Sequence, residues 1–349
     1  MNFAIMAGGT GGHIFPGIAV AKSLQKKGHK IYWLGAQGGM EERIVRQHGI
    51  HMTLLPIKPL RGKGIVGLMT MPFRLLKGIW MARGFFKKNN IDAAISMGGY
   101  VAAPGGFATS LCATKLIVHE QNSVFGMTNK ALARRANLVM TGFDLGGQFE
   151  SQWVGNPVRE SIEKIVKHSN RVKPVNVLVL GGSLGAQSLN NMVPSVLSEW
   201  IDSEAVKIKH QCGRNKKNAT EAAYGQLAEH VDLHEFIHNM AAAYQWADIC
   251  ICRAGALTVA EITTVGIPTI FVPYPHAVDD HQMENALSLV HKDAAMMWQE
   301  KQPQSEFLAA FKKLMEAEVR LAMRANLAKV RKNQVSEHIA ELCEQVVAA

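Results

Sequence analysis

Four glycines within five positions follow the first apolar run of the chain, and this feature constrains the fold more than any other. The run Phe3–Met6 is typical of a buried strand, and Gly8–Gly12 separates it from a helical pattern that ends near Lys26. A strand, a glycine turn and a helix start expose free backbone N–H groups at the positive end of a helix dipole. The segment therefore predicts an anion-binding loop. His13 stands at its mouth, where an imidazole can act near neutral pH.

The same pattern recurs in the second half of the chain. Val175–Leu180 is apolar and runs directly into Gly181–Ala186, and short apolar runs alternate with helical patterns after both copies. This alternation predicts an α/β fold with two doubly wound, Rossmann-like domains, each built on a parallel sheet. A length of 349 residues also favours two domains. We place them at residues 1–158 and 159–334, and expect a helix over 335–349 to pack back on the first domain.

The opening loop does not match a standard nucleotide fingerprint. A dinucleotide site requires an acidic residue at the end of the second strand, and Lys30–Ala36 ends without one. The Gly-Lys-Ser/Thr of a Walker loop is also missing. A dehydrogenase stays open as an alternative, weakened by the missing acid.

Positive charge is concentrated in the first half of the chain. Residues 1–158 hold 18 Lys and Arg against 6 Asp and Glu, a balance of +12, whereas the remainder has a balance of −2. This asymmetry predicts an anionic partner for the first half: a phosphorylated substrate, an anionic membrane surface or a nucleic acid. The five cysteines show no paired spacing and are interpreted as reduced cytosolic thiols.

Two segments bear on membrane association. Arg61–Lys88 interleaves apolar and basic residues, which fits either a membrane dock or an ordinary amphipathic helix packed on the sheet, and it shows no clean single apolar face. Ala93–Thr114 is uncharged, but its glycines and Pro104 argue against a membrane span. The N-terminus lacks the basic region of a signal peptide. The sequence therefore predicts a soluble or peripheral protein.

Ligands of open α/β sheets bind at the carboxyl ends of the strands. Two facing domains would place the loops that follow their strands on opposite sides of a cleft, with helix N-termini that suit a nucleotide diphosphate. These loops are Gly8–His13, Gly98–Tyr100 and Glu120–Asn122 in the first domain, and Gly181–Ala186, Ala254–Glu261 and His276–Gln282 in the second.

The loop motifs, taken in order, resemble those of the MurG family over essentially the whole chain. They are Gly8–His13, Gly98–Tyr100, His119–Asn122, Gly155–Arg159, Gly181–Ala186 and Arg253–Thr258. The resemblance implies a GT-B fold and inverting transfer of N-acetylglucosamine from UDP-N-acetylglucosamine to lipid I, undecaprenyl-diphospho-N-acetylmuramyl-pentapeptide. The product would be lipid II for peptidoglycan synthesis, and hence for cell shape and division. It also implies a peripheral place at the cytoplasmic face of the inner membrane, no cofactor and no metal. Other cell-wall synthesis proteins are candidate partners, and nucleic acid is not.

The resemblance also assigns roles to individual residues. His13 matches the proposed general base, although a histidine at a helix start can instead cap backbone. The Asp279–Asp280 pair is interpreted as a solvated loop. Glu261 is expected on the first turn of its helix. The residues that match substrate contacts are Thr10, Gly11, Gly12, Asn122, Arg159, Ser183, Ile237, Ala256, Leu257, Thr258, Val259, Ala260, Glu261 and Gln282.

One position departs from the expected motif: Leu184 stands where the family often has Gln, which affects a polar contact near the diphosphate. Two further alternatives stay open. A different GT-B enzyme, such as a UDP-sugar epimerase or another UDP-sugar transferase, would share the fold and differ in its acceptor. A nucleic-acid-binding protein would use the basic half and bind in a salt-sensitive manner.

Overall fold

The computed structural model describes residues 1–57, 65–165, 173–182 and 184–349, and its chain divides into two compact units. Unit 1 comprises Met1–Arg159 and Gln334–Ala349, and unit 2 comprises Glu160–Asn333. The C-terminal segment thus returns to the unit that holds the N-terminus.

Unit 1 is an alternation of strands and helices around a parallel seven-stranded sheet with the order β3-β2-β1-β4-β5-β6-β7. The elements are β1 (Asn2–Met6), α1 (Gly11–Lys26), β2 (Lys30–Ala36), α2 (Met40–Gln47), β3 (His51–Leu55), α3 (Ile65–Lys88), β4 (Ala93–Ser96), α4 (Ala102–Thr109), β5 (Lys115–Glu120), α5 (Met127–Ala133), β6 (Leu138–Thr141) and β7 (Gln152–Trp153). A short 3-10 helix lies at Gln148–Glu150.

Unit 2 repeats this arrangement with a parallel six-stranded sheet in the order β10-β9-β8-β11-β12-β13. Its elements are α6 (Glu160–Glu163), β8 (Val175–Leu180), α7 (Gln187–Val196), α8 (Ser198–Asp202), β9 (Val206–Gln211), α9 (Lys217–Tyr224), β10 (Val231–His234), α10 (Met240–Trp246), β11 (Ile249–Cys252), α11 (Ala256–Val265), β12 (Thr269–Phe271), α12 (His281–Val290), β13 (Met296–Met297), α13 (Gln304–Met315) and α14 (Ala317–Val330). Short 3-10 helices lie at Gly225–His230 and Val278–Asp280. The chain ends with α15 (Val335–Ala348), which belongs to unit 1.

The sheet of unit 1 is buried on both faces because helices cover both, and its strands send alternate side chains to the two sides. Phe3 and Ile5 of β1 point to one core, which α1 and α15 cover. Ala4 and Met6 of the same strand point to the other core, where α3 supplies Phe85 and Phe86. This two-sided burial accounts for the unbroken apolar runs from which the strands were predicted.

Several elements differ from the sequence prediction in their bounds. Ala93–Thr114, the uncharged run, forms β4, α4 and the turns around them. The sequence pattern predicts a helix from about Val259, whereas α11 begins at Ala256, because Gly255 already has the extended backbone of an N-cap residue. The helical pattern from Gln304 onward forms three helices, with breaks at Glu316 and at Arg331–Gln334, and the last of them covers nearly the range 335–349 that was predicted.

None of the helices in the described ranges is both long enough and apolar enough to span a bilayer.

Candidate active site

The candidate residues of unit 1 lie where the strand order of the sheet reverses. Strand β1 lies between β2 and β4, so the crossovers on its two sides run in opposite directions and leave a crevice at the carboxyl ends of β1 and β4. The loops that follow β1, β4 and β5 emerge at this edge. They carry Thr10–His13, Gly98–Tyr100 and Glu120–Asn122.

A buried carboxylate, that of Glu41, holds the glycine loop Gly8–Gly12 in place. Glu41 has no exposed surface. It accepts a hydrogen bond from the Gly9 backbone N–H at 3.1 Å and another from the Ala36 N–H at 2.9 Å. A Cβ at Gly8 would lie 2.4 Å from Glu41 Oε1, so the loop can approach this carboxylate only where a glycine stands. Glu41 was not predicted from the sequence, because a glutamate near a helix start normally indicates only an interaction with the helix dipole.

Helix α1 begins directly after this loop and presents His13 in its first turn. Thr10 is the N-cap residue with an extended backbone, and Gly11 and Gly12 are the first two helical residues. The Thr10 side chain makes no capping hydrogen bond to the helix, whose first N–H groups have no acceptor within it. These groups form the candidate anion-binding end of the loop.

The imidazole of His13 is half-buried and held on two sides. Its Nδ1 lies 2.9 Å from Gln121 Oε1. Gly98, with a φ of +93°, allows the ring to pack against backbone, and a Cβ there would lie 3.1 Å from His13 Cε1 and Nδ1. Within the described ranges, His13 Nε2 makes no hydrogen bond. This nitrogen is therefore the candidate proton acceptor.

Asn122 and Arg159 complete the predicted set in unit 1. The Asn122 backbone N–H and side-chain Nδ2 both donate to Glu120 Oε1, at 3.0 and 3.2 Å. Glu120 is itself buried, and its other oxygen accepts from the Gly126 N–H and from Asn129 Nδ2. Asn122 thus lies at the same edge of the sheet as His13, the one formed by the carboxyl ends of the strands. Arg159 is half-buried at the end of unit 1.

Unit 2 shows the same reversal of strand order between β8 and β11. Gly181–Ala186 follows β8 and leads into α7. Ser183, a predicted contact, lies outside the described residues. Leu184, the residue that differs from the family motif, is 81% exposed, so its apolar side chain does not pack in the core. The loop is fastened to the neighbouring strand by Gln211, whose Nε2 donates to the Gly182 carbonyl at 3.0 Å.

Helix α11 brings most of the predicted contacts of unit 2 together. Ala256, Leu257 and Thr258 form its first turn after the Gly255 N-cap, so their N–H groups have no acceptor within the helix. Val259 and Ala260 continue the helix. The expectation for Glu261 was wrong in one respect: because α11 starts early, Glu261 is its sixth residue and lies beyond the first turn. Its carboxylate is buried and accepts a hydrogen bond from Tyr244 Oη at 2.9 Å.

The remaining predicted residues of unit 2 follow β10 and β12, two strands that are separated by three others in the sheet. Ile237 is buried in the segment between β10 and α10. Gln282 is in the first turn of α12, and its Oε1 accepts from the Tyr274 backbone N–H at 3.0 Å. Asp279 and Asp280 are exposed, and the described residues hold no cluster of three metal-ligating side chains.

Arg253 connects several loops of unit 2, a role that the sequence analysis did not predict. Its guanidinium donates to the carbonyls of Val272 and Pro273 at 3.0 and 3.1 Å, and to Ser188 Oγ at 3.1 Å. It also forms an ion pair with Glu300. Arg253 therefore connects the ends of β11 and β12 with helix α7. A lone arginine after a strand gives no sequence signal for such a role.

Comparison with known proteins agrees with this geometry. Residues 3–141 match the glycosyltransferase family 28 N-terminal domain, and residues 176–342 match the glycosyltransferase family 28 C-terminal domain. A relative from Psychromonas ingrahamii is 42% identical, with 99% of each chain covered. A relative from Xanthomonas campestris pv. campestris strain 8004 is 45% identical over 98% of this chain and 81% of its own length. Both are named as UDP-N-acetylglucosamine–N-acetylmuramyl-(pentapeptide) pyrophosphoryl-undecaprenol N-acetylglucosamine transferases.

Solved structures give the same result for the fold. The crystal structure of MurG from Acinetobacter baumannii matches with a TM-score of 0.83 and 36% identity, covering 99% of both chains. A glycosyltransferase of kitacinnamycin shares the fold, with a TM-score of 0.73 at 15% identity. The predicted fold class, GT-B with two doubly wound Rossmann-like domains, is confirmed. Both domain models match in order along nearly the full chain, and so the chain belongs to glycosyltransferase family 28.

Proposed function

We propose that this protein transfers N-acetylglucosamine from UDP-N-acetylglucosamine to lipid I, with inversion at the anomeric carbon, and forms lipid II for peptidoglycan synthesis. The observation that carries this proposal is the full-length identity of 42% to a relative named for this transfer. The product supports cell-wall assembly, and with it cell shape and division. Membership of family 28 favours this reaction over a dehydrogenase or a nucleic-acid-binding protein.

Unit 2 is proposed to hold the donor. The N–H groups in the first turns of α11 and α7 have no acceptor within their helices and suit the diphosphate of UDP. The Glu261 carboxylate suits two ribose hydroxyls, because a carboxylate accepts several hydrogen bonds at once. The same helix ends would stabilise the negative charge that develops on UDP as it leaves. Ile237, Gln282 and Ser183 are proposed as further donor contacts.

Unit 1 is proposed to hold the acceptor and the base. His13 would take the proton of the acceptor 4-hydroxyl, and the oxygen would attack the anomeric carbon. The bond between that carbon and the diphosphate oxygen would break, and UDP would leave with the electron pair. Thr10, Gly11 and Gly12 would lie beside the acceptor diphosphate, and Asn122 beside the donor sugar.

Calorimetric titration tests the donor first. We expect UDP-N-acetylglucosamine to bind more tightly than UDP-glucose, and NAD not to bind. Transfer to lipid I then tests the base: His13→Ala should lower kcat about 10²- to 10⁴-fold, the contribution of general base catalysis, with donor binding retained. Equal binding of NAD would refute the donor proposal, and an active His13→Ala protein would refute the base.

A lipid-linked acceptor requires a membrane surface, and α3 offers a docking face. Phe73, Leu76 and Trp80 follow helical spacing and are 76%, 55% and 63% exposed, whereas Ala82, Phe85 and Phe86 of the same helix are buried. Over its described side chains the helix thus has two apolar faces, one packed in the core and one exposed. Because apolar residues occur on both, the sequence shows no single apolar face. The Arg83 guanidinium lies 5.2 Å from the Trp80 ring centroid. Arg61, the start of the predicted segment, lies outside the described residues.

We infer that this face places the protein peripherally on an anionic membrane, at its cytoplasmic side. Apolar side chains would enter the headgroup layer while Arg and Lys pair with lipid phosphates. The test is sedimentation with vesicles that contain anionic lipid. Leu76→Ser should weaken binding, whereas Leu321→Ser, a leucine of unit 2 that is 46% exposed, should not. If Leu76→Ser bound the vesicles as tightly as Leu321→Ser, the docking face would be refuted.

A further inference from the structure

A chain of hydrogen bonds leads from His13 into the interior of unit 1. His13 Nδ1 lies 2.9 Å from Gln121 Oε1. Gln121 Nε2 lies 3.0 Å from His119 Nδ1 and 2.9 Å from the His119 carbonyl oxygen. His119 Nε2 lies 2.9 Å from the Gly155 carbonyl oxygen. His119 is fully buried and Gln121 nearly so, whereas His13 is half-buried.

The direction of each hydrogen bond follows from groups that can only accept. The Gly155 carbonyl accepts, so His119 carries its proton on Nε2. Burial lowers the pKa of His119 to about 4, which keeps this ring neutral and leaves Nδ1 as an acceptor. The carbonyl of His119 also accepts, so the group of Gln121 that faces both atoms is the NH₂. The amide oxygen must then face His13.

We propose that Gln121, oriented by His119, holds His13 in the tautomer with its proton on Nδ1 and thereby leaves Nε2 unprotonated toward the acceptor hydroxyl. Both are positioning residues that act through His13. The inference rests on the proposed role of His13 as the base. It explains why a neutral amide stands here: an amide oxygen fixes the tautomer, whereas a carboxylate would also favour the protonated imidazole, which is no base.

Two carboxylates on the neighbouring elements, Glu120 and Glu41, make hydrogen bonds of their own, and the Tyr100 phenol stays neutral. Glu120 is saturated by donors from Asn122, Gly126 and Asn129. Glu41 is bonded to the backbone of the glycine loop. Burial raises the pKa of Tyr100, which keeps that phenol neutral. Among the described residues, no acid forms an ion pair or hydrogen bond with His13, so the tautomer depends on the amide.

Histidine ¹⁵N NMR tests the tautomer directly and needs no turnover. The signals of His13 are identified by their loss in His13→Asn. Above the titration range, the wild-type ring should show a protonated Nδ1 and an unprotonated Nε2. Gln121→Met removes the acceptor and should populate the tautomer with the proton on Nε2. Gln121→Glu keeps an acceptor-only oxygen and should preserve the Nδ1 proton. Both variants lose the NH₂ that donates to His119, and Gln121→Glu also sets a carboxylate oxygen against the two acceptor atoms of His119. Gln121→Met is therefore the deciding variant for the contact with His13.

Kinetics with lipid I give the second readout. We expect Gln121→Met to lower kcat roughly tenfold to hundredfold, within what general base catalysis contributes, with little change in KM. In Gln121→Glu the carboxylate favours the protonated ring, so the acid limb of the kcat/KM profile should move to higher pH by about one unit or more. Gln25→Glu, an exposed position at the other end of α1, adds the same charge and should leave the profile unchanged. Circular dichroism and donor titration check that each variant is folded.

The outcomes separate this inference from the general-base proposal. A wild-type His13 with its proton on Nε2, or a tautomer that is the same in Gln121→Met, would overturn the role of Gln121. An Nδ1 proton in the wild type together with an active His13→Ala enzyme would support the positioning and refute His13 as the base.

Discussion

Gly98 is the residue whose replacement most directly tests the position of His13. At a φ of +93° an alanine is strained by about 1–2 kcal/mol, and its Cβ would lie 3.1 Å from two atoms of the imidazole. We expect Gly98→Ala to displace the ring and lower kcat at least tenfold, consistent with the 10²–10⁴ that a positioned base contributes. Donor binding, measured by calorimetry, should not change, because the proposed donor residues of the first turn of α11 are in unit 2.

Gly28→Ala is the matched control for backbone strain. Gly28 has a φ of +86°, and nothing lies within 4 Å of the position of its Cβ. Both variants should therefore lose similar stability in urea unfolding, and only Gly98→Ala should lose activity. An equal loss of activity in both would mean that strain in unit 1, and not contact with His13, is responsible.

A second prediction for a single residue concerns Glu41. In Glu41→Gln one side-chain oxygen is replaced by an NH₂, which cannot accept the Gly9 or the Ala36 N–H. A buried donor without a partner costs about 1–3 kcal/mol, and urea unfolding should show a loss of that size. Transfer activity should also fall because the glycine loop loses its anchor. Glu42→Gln is the control: this neighbour binds the Gly38 N–H in an exposed contact, and its loss should cost less than about 1 kcal/mol.

The sequence predicts the loops that line the candidate site but not the residues that support them. The motifs correctly predicted which loops follow strand ends, since a glycine turn after an apolar run is a local signal. Glu41, His119 and Gln121 act through contacts between segments far apart in the chain, 32 residues for Glu41–Gly9 and 108 for Gln121–His13. No local pattern encodes such pairs. His119 and Gln121 were part of a quoted motif, yet only the geometry gives them a role.

At the scale of elements, the C-terminal helix shows how a distant segment is fixed to unit 1. Helix α15 buries Val335, Ile339 and Cys343 in the core that α1 also covers. At its outer side, Glu344 accepts hydrogen bonds from His29 at 2.7 Å and Lys27 at 2.9 Å. A period of 3.6 residues predicts the helix, but its break from α14 depends on Arg331–Gln334, where Gln334 has a φ of +52°.

This contact predicts a pH dependence of stability. The hydrogen bonds from His29 and then Lys27 lower the pKa of Glu344 below its ordinary value of about 4.3. Because the folded pKa is the lower one, its stabilisation is complete above the unfolded value and is lost as the pH falls through the folded value. Glu344→Gln should cost up to about 1 kcal/mol at pH 7, as for a surface pair, and the difference from wild type should shrink below about pH 4.

Urea unfolding of both proteins at pH 7 and at successively lower pH measures this difference. Glu341→Gln, on the same helix but 3.9 Å from Lys27, should show little effect at either pH. A constant difference between Glu344→Gln and wild type at all pH values would contradict the role of the carboxylate.

At the scale of the whole molecule, charge is divided between the units. Unit 1 holds 19 Lys and Arg against 9 Asp and Glu, and unit 2 holds 19 of each, so the entire net charge of +10 lies on unit 1. This agrees with the proposal that unit 1 meets a diphosphate-linked acceptor and an anionic membrane, and that unit 2 binds a soluble nucleotide through helix ends. The charge asymmetry was visible in the sequence because net charge is a sum over residues and needs no contacts.

Hydrogen exchange tests this division of roles in the intact protein. Saturating UDP, at about 100 times its Kd, stabilises the groups it binds by about 2.7 kcal/mol. We expect slower exchange of amides in Gly181–Ala186 and in the first turn of α11, with no change in Gly8–His13. UDP-N-acetylglucosamine should extend the protection to Asn122 of unit 1, because the sugar is proposed to lie there. Protection by UDP alone in the glycine loop of unit 1, with none in α11, would reverse the assignment: the nucleotide would then belong to the basic unit, and His13 would stand beside a leaving group.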